Sequence, residues 1–455
     1  MSISAATSHV DESKQARAKR TARAAFFGLV VDYWEIMLPV VALGPAIVYF
    51  IPTDLPAETK ATLTFLTFAA AFLGRPLGSV IFGAMADRLG RQKTSAICSV
   101  GLGVSVLLVA LLPGYGSIGL WGLAGVLLLR LLGGVFMGGQ YTGANPLAME
   151  SAEKHRRGIV GASIASAWPV AYVIVSLVTA LLVAIMPSGS PTSAYSVWGW
   201  RIPFVIGAIM AAVLFLYLRK TEESQVWTAA QRREAAERRK KQKSPLSELF
   251  RGENLRNLAQ VFLLMTGIWF AIQILTVAPS GLLISYMKVP SQTVLWGLLV
   301  ANVVFWPCYL IAGAASQRFG RRKTLIVLGV LSGTVSIASM IAMLQILNSG
   351  GPFWLAMVFF TISLCVSVAP NALMIPYVCE RFATSVRASG YGIGYTLAVI
   401  IPGLYSFMLL GLGKFMKYEY GTVALLAIGA VCVVIGAALG PETKDVDLGA
   451  TESES

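Results

Sequence analysis

Twelve long apolar runs constrain this chain more than any other feature. They cover residues 26–50, 63–86, 95–113, 118–148, 159–186, 199–218, 257–284, 293–316, 324–347, 353–378, 388–412 and 421–440. Each run is long enough for an α-helix to cross a hydrocarbon core of about 30 Å. Only 13% of the 455 residues are charged, compared with about a quarter in soluble domains. The sequence therefore predicts an all-α integral membrane protein with twelve transmembrane helices.

Basic residues are distributed unevenly between the loops. If the N-terminus lies in the cytoplasm, 29 of the 36 lysines and arginines fall in cytoplasmic segments and five in segments on the opposite side. This asymmetry follows the positive-inside rule and places both termini in the cytoplasm. It also accounts for the net charge of +14 without nucleic acid as a partner. The first 24 residues are polar and basic, so we expect no cleaved signal peptide and a multi-pass protein of the inner, cytoplasmic membrane, with the lipid bilayer as its surroundings.

The two halves of the chain resemble one another. The loop "FGAMADRLGRQK" (82–93) recurs as "GAASQRFGRRK" (313–323), and "ESAEKHRRG" (150–158) recurs as "ERFATSVRASG" (380–390). Repeats at a fixed offset indicate a duplicated architecture, and two related six-helix halves are typical of alternating-access transporters. We therefore expect two pseudo-symmetric six-helix bundles. The predicted divisions are a cytoplasmic N-tail (1–25), a first bundle (26–218), a cytoplasmic basic connector (219–256), a second bundle (257–440) and a cytoplasmic C-tail (441–455).

The charged loop between runs two and three predicts a gate. Asp87 ends a helix at the membrane surface, where it can pair with basic residues or with the positive N-terminus of a neighbouring helix. Such a contact would hold the cytoplasmic side closed in one state and open in another, whereas the alternative is that the loop charges only fix topology. Gln317 replaces the acid in the second half and predicts a weaker, neutral contact. The candidate cytoplasmic gate comprises Gly83, Asp87, Arg88, Gly90, Arg91, Glu150, Arg157, Arg318, Arg321, Glu380 and Arg387.

These motifs resemble the major facilitator superfamily. The pattern G-x-x-x-D-R-x-G-R-x-K between runs two and three is similar to the signature loop of that superfamily. "GRPLGSVIFGAMADRLGRQK" (74–93), "RLLGGVFMGGQYTGA" (130–144), "HRRG" (155–158) and "WGWRIPF" (198–204) resemble its metabolite:proton symporters, which include permeases for α-ketoglutarate, citrate, shikimate and proline/betaine. The resemblance implies the major facilitator fold and proton-coupled uptake of a small metabolite.

The chain departs from that family in three places. Where the family has Glu-Trp-Phe/Tyr-Asp-Phe in its first span, this chain has "DYWEI" (32–36), so the two acids are exchanged. Gln140 stands where relatives have an acid in "GGEYTGA", which puts in doubt any coupling role of that acid. Residues 441–455 show no heptad repeat, so we do not expect the coiled-coil tail of the osmosensing members.

Apart from residues at the helix mouths, four charged residues fall inside the apolar runs, namely Asp32, Glu35, Arg75 and Arg130. Charges inside a bilayer are costly and mark functional sites by default. Arg75 lies about 18 Å from Asp87 along the helix, and Glu35 about 14 Å from the start of its run, so both reach a similar depth near the midplane. A carboxylate between a second acid and an arginine can exchange a proton near neutral pH. We therefore assign these four residues to proton coupling and substrate binding; the alternative is a static ion pair that joins spans one, two and four.

Aromatic and amide side chains in the spans suit the wall of a small-molecule cavity. The candidates are Tyr33, Trp34, Gln140, Tyr141, Asn145, Trp168, Tyr172, Trp269, Gln273, Asn302, Trp306, Tyr309, Asn371, Tyr391 and Tyr395. Each of them could instead be an ordinary helix–helix contact. Two arginines inside the spans favour a carboxylate on the substrate, because guanidinium binds carboxylate through two parallel hydrogen bonds.

The favoured function is secondary active transport, with proton-coupled uptake of a small organic acid or zwitterion. Proton-driven efflux of a drug-like compound is an alternative, although span five lacks the G-x-x-x-G-P-x-x-G-G run usual in such exporters. A sugar carrier is a second alternative, although span seven has Gln273 alone where paired glutamines are expected in a sugar carrier. A membrane-embedded hydrolase would need a midplane nucleophile and base, which the runs do not supply, and no G-x-x-x-x-G-K-[ST] run indicates ATP binding.

Neither a cofactor nor a metal is expected, and the energy source would be the proton gradient, with sodium as the open alternative. His9 and His155 both lie outside the runs, and the five cysteines form no C-x-x-C pair. The partners are a small-molecule substrate and H⁺. We expect the protein to function as a monomer and not to be an enzyme.

Overall fold

Twelve helical spans make up the computed structural model, in which residues 2–52, 55, 57–188, 190–236 and 245–448 are described. Each span is long and apolar enough to cross a membrane, which confirms the predicted all-α architecture of twelve transmembrane helices. Spans 1 to 12 run in chain order: Ala18–Tyr49, Ala69–Leu89, Arg91–Leu111, Trp121–Ser151, Lys154–Ile185, Tyr195–Arg219, Gly252–Ile284, Gln292–Phe319, Arg321–Asn348, Phe353–Glu380, Arg387–Leu412 and Tyr420–Leu439.

The α-helices form most of each span and extend beyond some of them. Those of eight or more residues are Ser2–Met37, Ala57–Leu89, Arg91–Leu111, Trp121–Ser151, Arg157–Ala165, Ala167–Ile185, Arg201–Arg219, Gln225–Ala236, Gly252–Ile272, Ser291–Phe319, Arg321–Leu331, Ile337–Asn348, Phe353–Val368, Arg387–Leu397, Tyr405–Leu412 and Tyr420–Leu439. Shorter α-helical pieces lie at Tyr115–Ile118, Pro245–Leu249, Ala278–Ser280, Met374–Glu380 and Ile400–Gly403.

Several spans change helix type where a proline removes a backbone donor. Span 1 passes from α-helix into a π-helix at Leu38–Leu43 and a 3-10 helix at Gly44–Tyr49, each with a proline in its first turn. Span 10 contains the 3-10 helix Ala369–Leu373, which also has a proline in its first turn. Further π-helical stretches lie at Tyr195–Gly199, Gln273–Val277, Gly281–Tyr286 and Ser332–Ser336, and Lys154–Arg156 is a 3-10 turn. These irregular turns set the course of spans 1, 7 and 10 beside the centre of the protein.

Lipid-facing surface is recognisable by exposed apolar stripes. On span 2, Leu73, Leu77 and Ile81 follow one another at one-turn spacing and are 57%, 56% and 57% exposed. In water such a stripe would be costly, whereas in a bilayer it meets acyl chains. Span 2 therefore has one face toward lipid and the opposite face toward the interior of the protein.

Reciprocal glycines allow spans 2 and 4 to pack with their backbones in contact. A Cβ atom on Gly78 would overlap the carbonyl of Val135, and one on Gly134 would overlap the carbonyl of Ala71. Gly74 and Gly138 face the partner backbone in the same way. Small residues at four-residue spacing allow this close approach in membranes. The contact holds Arg75, on span 2, beside the side chains of span 4.

We expect Gly78→Ala to lower the stability of the protein by about 1–3 kcal/mol, because overpacking a close contact forces the backbones apart. Gly411→Ala is the matched control, since Gly411 is also in a helix and its Cβ would meet no atom within 4 Å among the described residues. Both changes gain the same helix propensity. The comparison is the unfolding temperature in detergent, and equal temperatures for the two variants would contradict this packing argument.

The connector between the halves contains the helices Gln225–Ala236 and Pro245–Leu249, and its residues 237–244 lie outside the described part. Trp227 donates its indole N–H to the carbonyl of Asp87 at 2.9 Å, so the first connector helix packs against the loop between spans 2 and 3. Residues 441–448 follow span 12 along the same face, and 449–455 lie outside the described residues. The domain divisions made from the sequence stay a prediction.

Candidate functional site

Glu35 and Arg130 form a buried ion pair between spans 1 and 4. Arg130 also donates to the backbone carbonyl of Glu35 at 2.9 Å and to that of Thr67, in the helix that continues into span 2, at 3.4 Å. The guanidinium is fully buried, and these three contacts occupy two of its three nitrogens. The pair therefore has the geometry of the static link between spans one, two and four that the sequence offered as an alternative.

Arg75 has a different environment. It is fully buried and donates one hydrogen bond, to the hydroxyl of Tyr141 at 3.4 Å. Its Nε and Nη1 have no hydrogen-bond partner among the described residues. The guanidinium lies over three rings, with its central carbon 4.5 Å from Phe72, 5.4 Å from Tyr141 and 6.0 Å from Trp269. Because Trp269 belongs to span 7, this arginine lies where the two halves meet.

Asp32 is an unpaired acid close to Arg75. Its side chain is fully buried, and neither carboxylate oxygen has a hydrogen-bond partner in the described part of the chain. The charged groups that act on it are those of Arg75 and Glu35. A buried charge without hydrogen bonds is costly, so a carboxyl group in this position is suited to carry a proton or to meet a cationic group of a substrate.

Aromatic rings from both halves surround these two charges. Tyr33 and Trp168 meet edge to face at 4.8 Å, and Tyr141 lies 5.0 Å from Tyr395. Tyr395 in turn lies 5.2 Å from Trp269 and 6.0 Å from Tyr391, with the two tyrosine rings stacked. The hydroxyls of Tyr33 and Tyr395 also interact, so spans 1, 4 and 5 of the first half and spans 7 and 11 of the second share one aromatic cluster.

Amide side chains join the same central region. Asn145 donates to the hydroxyl of Tyr391 across the two halves at 2.9 Å, and Asn371 donates to that of Tyr309 at 3.1 Å. Several buried polar atoms have no hydrogen-bond partner among the described residues: the indole nitrogen of Trp168, both amide atoms of Gln273, and the amide oxygens of Asn302 and Asn371. Tyr172 is also buried. Unpaired buried polar groups call for an explanation, and a polar ligand supplies one.

Three of the proposed cavity residues lie elsewhere. Trp34 donates its indole N–H to the carbonyl of Pro203 at 3.0 Å and packs between spans 1 and 6. Gln140 accepts a hydrogen bond from Ser99 at 3.1 Å inside the first half. Trp306 is 45% exposed, outside the buried cluster. Consecutive helix residues point in directions about 100° apart, so a neighbour of a central residue can face another helix or lipid.

Asp87 binds the beginning of a helix in the opposite half. Its carboxylate accepts hydrogen bonds from the backbone N–H of Ala388 at 3.2 Å, the backbone N–H of Ser389 at 3.0 Å and the hydroxyl of Ser389 at 2.7 Å. These donors lie in the first turn of the helix Arg387–Leu397, where the helix dipole favours an anion. Arg91 adds an ion pair at 3.6 Å. Gly83 faces Ser389 so closely that a Cβ on it would lie 3.0 Å from the Cα of Ser389.

Gln317 makes the related contact in the second half. Its side-chain oxygen accepts a hydrogen bond from the backbone N–H of Gly158 at 3.0 Å, in the first turn of the helix Arg157–Ala165. It also accepts from Arg321 at 3.1 Å. The two loops therefore place an acceptor at equivalent helix beginnings, with a carboxylate in one and a neutral amide in the other.

A buried charge network surrounds each of these contacts. Glu150 accepts from Arg91 at 3.1 Å and from Arg387, of the opposite half, at 2.7 Å. Glu380 pairs with Arg321 at 3.3 Å. Arg157 donates to the carbonyl of Val446 at 2.8 Å. Because residues 441–448 follow the second half, this last bond also joins the two halves.

Glycines with positive φ shape both loops. Gly90 has φ of 111° and Gly320 of 100°, values that residues with a side chain rarely adopt. Each turns the chain between two spans, and we name the side of the protein on which these glycines lie the gate face. Arg88 and Arg318 are exposed there, so the structure does not bring them into the buried network.

Two acids of this network were missed by sequence reasoning. Glu223 accepts from the backbone N–H groups of Arg91 and Gln92 at 3.0 Å each, and Glu442 accepts from those of Arg321 and Arg322 at 2.7 and 3.2 Å. The sequence contained a signal for these two acids, because the similar motifs "RKTEES" (219–224) and "GPETKD" (440–445) end the two halves. No group of three or more possible metal ligands occurs among the described residues.

Comparison with known proteins gives consistent matches. The sequence profile of the Major Facilitator Superfamily matches residues 25–404. The shikimate transporter of Escherichia coli (strain K12) is 30% identical over 432 residues, covering 92% of this chain and 93% of that protein. The citrate-proton symporter of Klebsiella pneumoniae is 30% identical over 359 residues, covering 78% of this chain and 77% of that protein. The solved structure of the proton:xylose symporter XylE matches with a TM-score of 0.74 over 96% of this chain and 98% of that one, at 18% identity, a likeness of fold alone.

Proposed function

The chain belongs to the Major Facilitator Superfamily, and from that premise we propose that it couples the entry of protons to the uptake of a small organic acid or zwitterion. As a member of this superfamily it is a multi-pass inner-membrane protein and a secondary transporter of metabolites, not an enzyme. The direction of transport, the coupling ion and the substrate class are the parts that we add.

Arg75 carries the proposal for the substrate. Its Nε and Nη1 have no hydrogen-bond partner among the described residues, and aromatic rings of both halves frame it. A carboxylate in that position would receive a charge-assisted pair of hydrogen bonds. Arg130 does not offer this, because Glu35 already neutralises it. A substrate held by Arg75 would touch both halves, which is what alternating access requires.

Asp32 is the proposed carrier of the proton. It lies beside Arg75 without a hydrogen-bond partner in the described chain, so its charge is balanced only through space. If Arg75 turns toward a substrate carboxylate, the balance at Asp32 weakens and protonation becomes favourable. Substrate and proton would then bind together. For a zwitterion, the same carboxylate would instead face the cationic end of the substrate.

The curated relatives support both parts of this proposal. One is named a citrate-proton symporter and another a shikimate transporter, and both substrates in those names are carboxylic acids. We further propose that the gate face is cytoplasmic, that both termini lie on that side, and that one chain surrounded by lipid is the working unit. The basic residues of the connector and of the gate loops favour this orientation.

The experiment that tests the function is uptake into proteoliposomes with an imposed pH gradient. A panel of labelled carboxylates, zwitterions, sugars and cationic drugs is offered with the interior alkaline, with an inward sodium gradient, and with no gradient. We expect accumulation of one or more carboxylates or zwitterions, and only with the gradient. Uptake of a sugar alone, extrusion of a drug, or accumulation that follows a sodium gradient would each overturn the proposal.

Arg75→Lys is expected to weaken binding of the best carboxylate roughly tenfold, because lysine keeps the charge but loses the two-pronged geometry. The measurement is the concentration for half-maximal exchange, taken for the acid and for its uncharged amide. The wild type should prefer the acid, and the variant should lose most of that preference. If the wild type binds acid and amide equally well, Arg75 does not receive a substrate carboxylate.

A further inference from the structure

An open groove of about 1030 Å³ lies on the gate face between the beginning of span 7 and the end of span 12. It is far from the central charges, since its walls come from Gly252–Leu263 on one side and Ala438–Pro441 on the other. Arg322, in the first turn of span 9, and Arg381, from the loop between spans 10 and 11, complete it. Nothing in the transport cycle described above uses this groove.

Three guanidinium groups line the groove. They belong to Arg256, Arg322 and Arg381, and Glu253 is the only acid among the lining residues that the structure describes. The charges therefore favour an anion. Arginine is well suited to phosphate, since its planar group offers several donors at once.

Two of these arginines are held in place. Arg381 donates to the side chain of Gln260 at 3.3 Å and also to that of Asn257. Its side chain is partly exposed at the groove. Arg322 donates to the carbonyl of Ala438 at 2.8 Å. A fixed donor loses less conformational freedom when a ligand binds, so these contacts make the groove a prepared site.

The groove combines arginines with an apolar wall. It follows span 7 from Gly252 to Leu263, which is about 16 Å along a helix. Arg256 lies near the start of span 7 and Leu263 about two turns further along it, while Leu439 ends span 12. Ala259, Leu263 and Leu439 give the groove an apolar wall beside its arginines. Leu439 is 68% exposed. A free anion would use only the arginines, but an amphiphile would also cover the apolar wall.

We propose that this groove binds the phosphate headgroup of an anionic phospholipid, with an acyl chain against Leu263 and Leu439. Basic pockets between transmembrane helices on the cytoplasmic side bind such headgroups. The inference goes beyond the transport function and rests only on the proposed cytoplasmic orientation of the gate face. The lipid would contact spans 7 and 12 and the loops beside Arg322 and Arg381 at once, and so would tie the gate face of the second half to the membrane.

Native mass spectrometry of the purified full chain tests this site with defined lipids. Phosphatidylglycerol is titrated against phosphatidylcholine with the same acyl chains. The Arg256→Gln, Arg322→Gln double variant removes two exposed groove arginines, and Arg219→Gln, Lys220→Gln is the matched control, since both of its residues are exposed at the end of span 6. We expect the wild type and the control to retain one phosphatidylglycerol, and the groove variant to need roughly tenfold more lipid for the same occupancy.

Two competition experiments distinguish binding of a phospholipid from binding of a free phosphate group. Inorganic phosphate and glycerophosphoglycerol, which carries the headgroup without acyl chains, are added as competitors. Neither should displace the lipid at millimolar concentration. Displacement by either would show that the apolar wall contributes nothing and would overturn the lipid assignment. Equal loss of phosphatidylglycerol in both double variants, or equal retention of phosphatidylcholine by the wild type, would show general surface attraction in place of a site.

Discussion

In proteoliposomes that contain the Asp32→Asn variant, the transported carboxylate is expected to exchange across the membrane but not to accumulate under a proton gradient. Asparagine has nearly the shape of aspartate but cannot carry the proton. Since neither oxygen of Asp32 has a hydrogen-bond partner among the described residues, the change breaks no such bond in the fold. The measurement is the ratio of internal to external substrate, which should fall to the value reached without a gradient.

Glu35→Gln is the comparison that separates coupling from structure. It removes one member of the buried pair with Arg130, and an uncompensated buried charge costs about 3–5 kcal/mol. We expect this variant to unfold at a lower temperature, whereas Asp32→Asn should unfold close to the wild type. Adding Arg130→Met to Glu35→Gln should recover much of the loss, because the unpaired charge is then gone. Wild-type accumulation by Asp32→Asn would show that Asp32 does not carry the proton.

The twelve spans could be predicted because hydropathy and length are local properties of the sequence. The four buried charged residues could be identified for the same reason, since a charged residue inside an apolar run is also a local feature of the sequence. Their pairing was not, because depth along a helix gives the height of a residue and not the direction of its side chain. Glu35 and Arg75 were placed at similar depth, yet the ion pair forms between Glu35 and Arg130. For the same reason Trp34 and Gln140 were predicted to line the cavity, whereas their side chains face other helices of the first half.

The gate shows which long-range contacts a repeat can reveal. The duplicated loops and the glutamates at 150 and 380 were found because both halves carry them. Glu223 and Glu442 belong to the same repeat, but they act on backbone N–H groups more than 100 residues away in sequence. The bond from Arg157 to the carbonyl of Val446 has no sequence signal, since any residue can supply a carbonyl. Contacts between side chains and backbone atoms are therefore the long-range contacts that sequence motifs do not reveal.

Asp87→Asn is expected to shift the protein strongly away from the conformation in which the gate face is closed. The carboxylate of Asp87 is buried and accepts three hydrogen bonds from Ala388 and Ser389. An amide has one acceptor atom, and its NH₂ group would face the N–H donors of a helix beginning. Loss of a buried, hydrogen-bonded charge costs about 3 kcal/mol or more, which is roughly a 100-fold change in the closed population. Helix insertion and the central cluster should be unaffected.

Gln317→Glu provides the opposite change at the related position of the second half. A carboxylate there would accept from the N–H of Gly158 and from Arg321, the two donors that Gln317 already uses, and it would add charge at a helix beginning. It would lose the bond that the amide of Gln317 donates to the carbonyl of Lys154 at 3.4 Å. Since Gln317 is partly exposed, we expect a smaller gain for the closed form, about 0.3–1 kcal/mol. The measurement is the rate at which a thiol reagent labels a cysteine placed in the path between the gate face and Arg75, with the five native cysteines removed. Labelling should become faster in Asp87→Asn and slower in Gln317→Glu. If both variants label at the wild-type rate, the two loops set topology and do not control the gate.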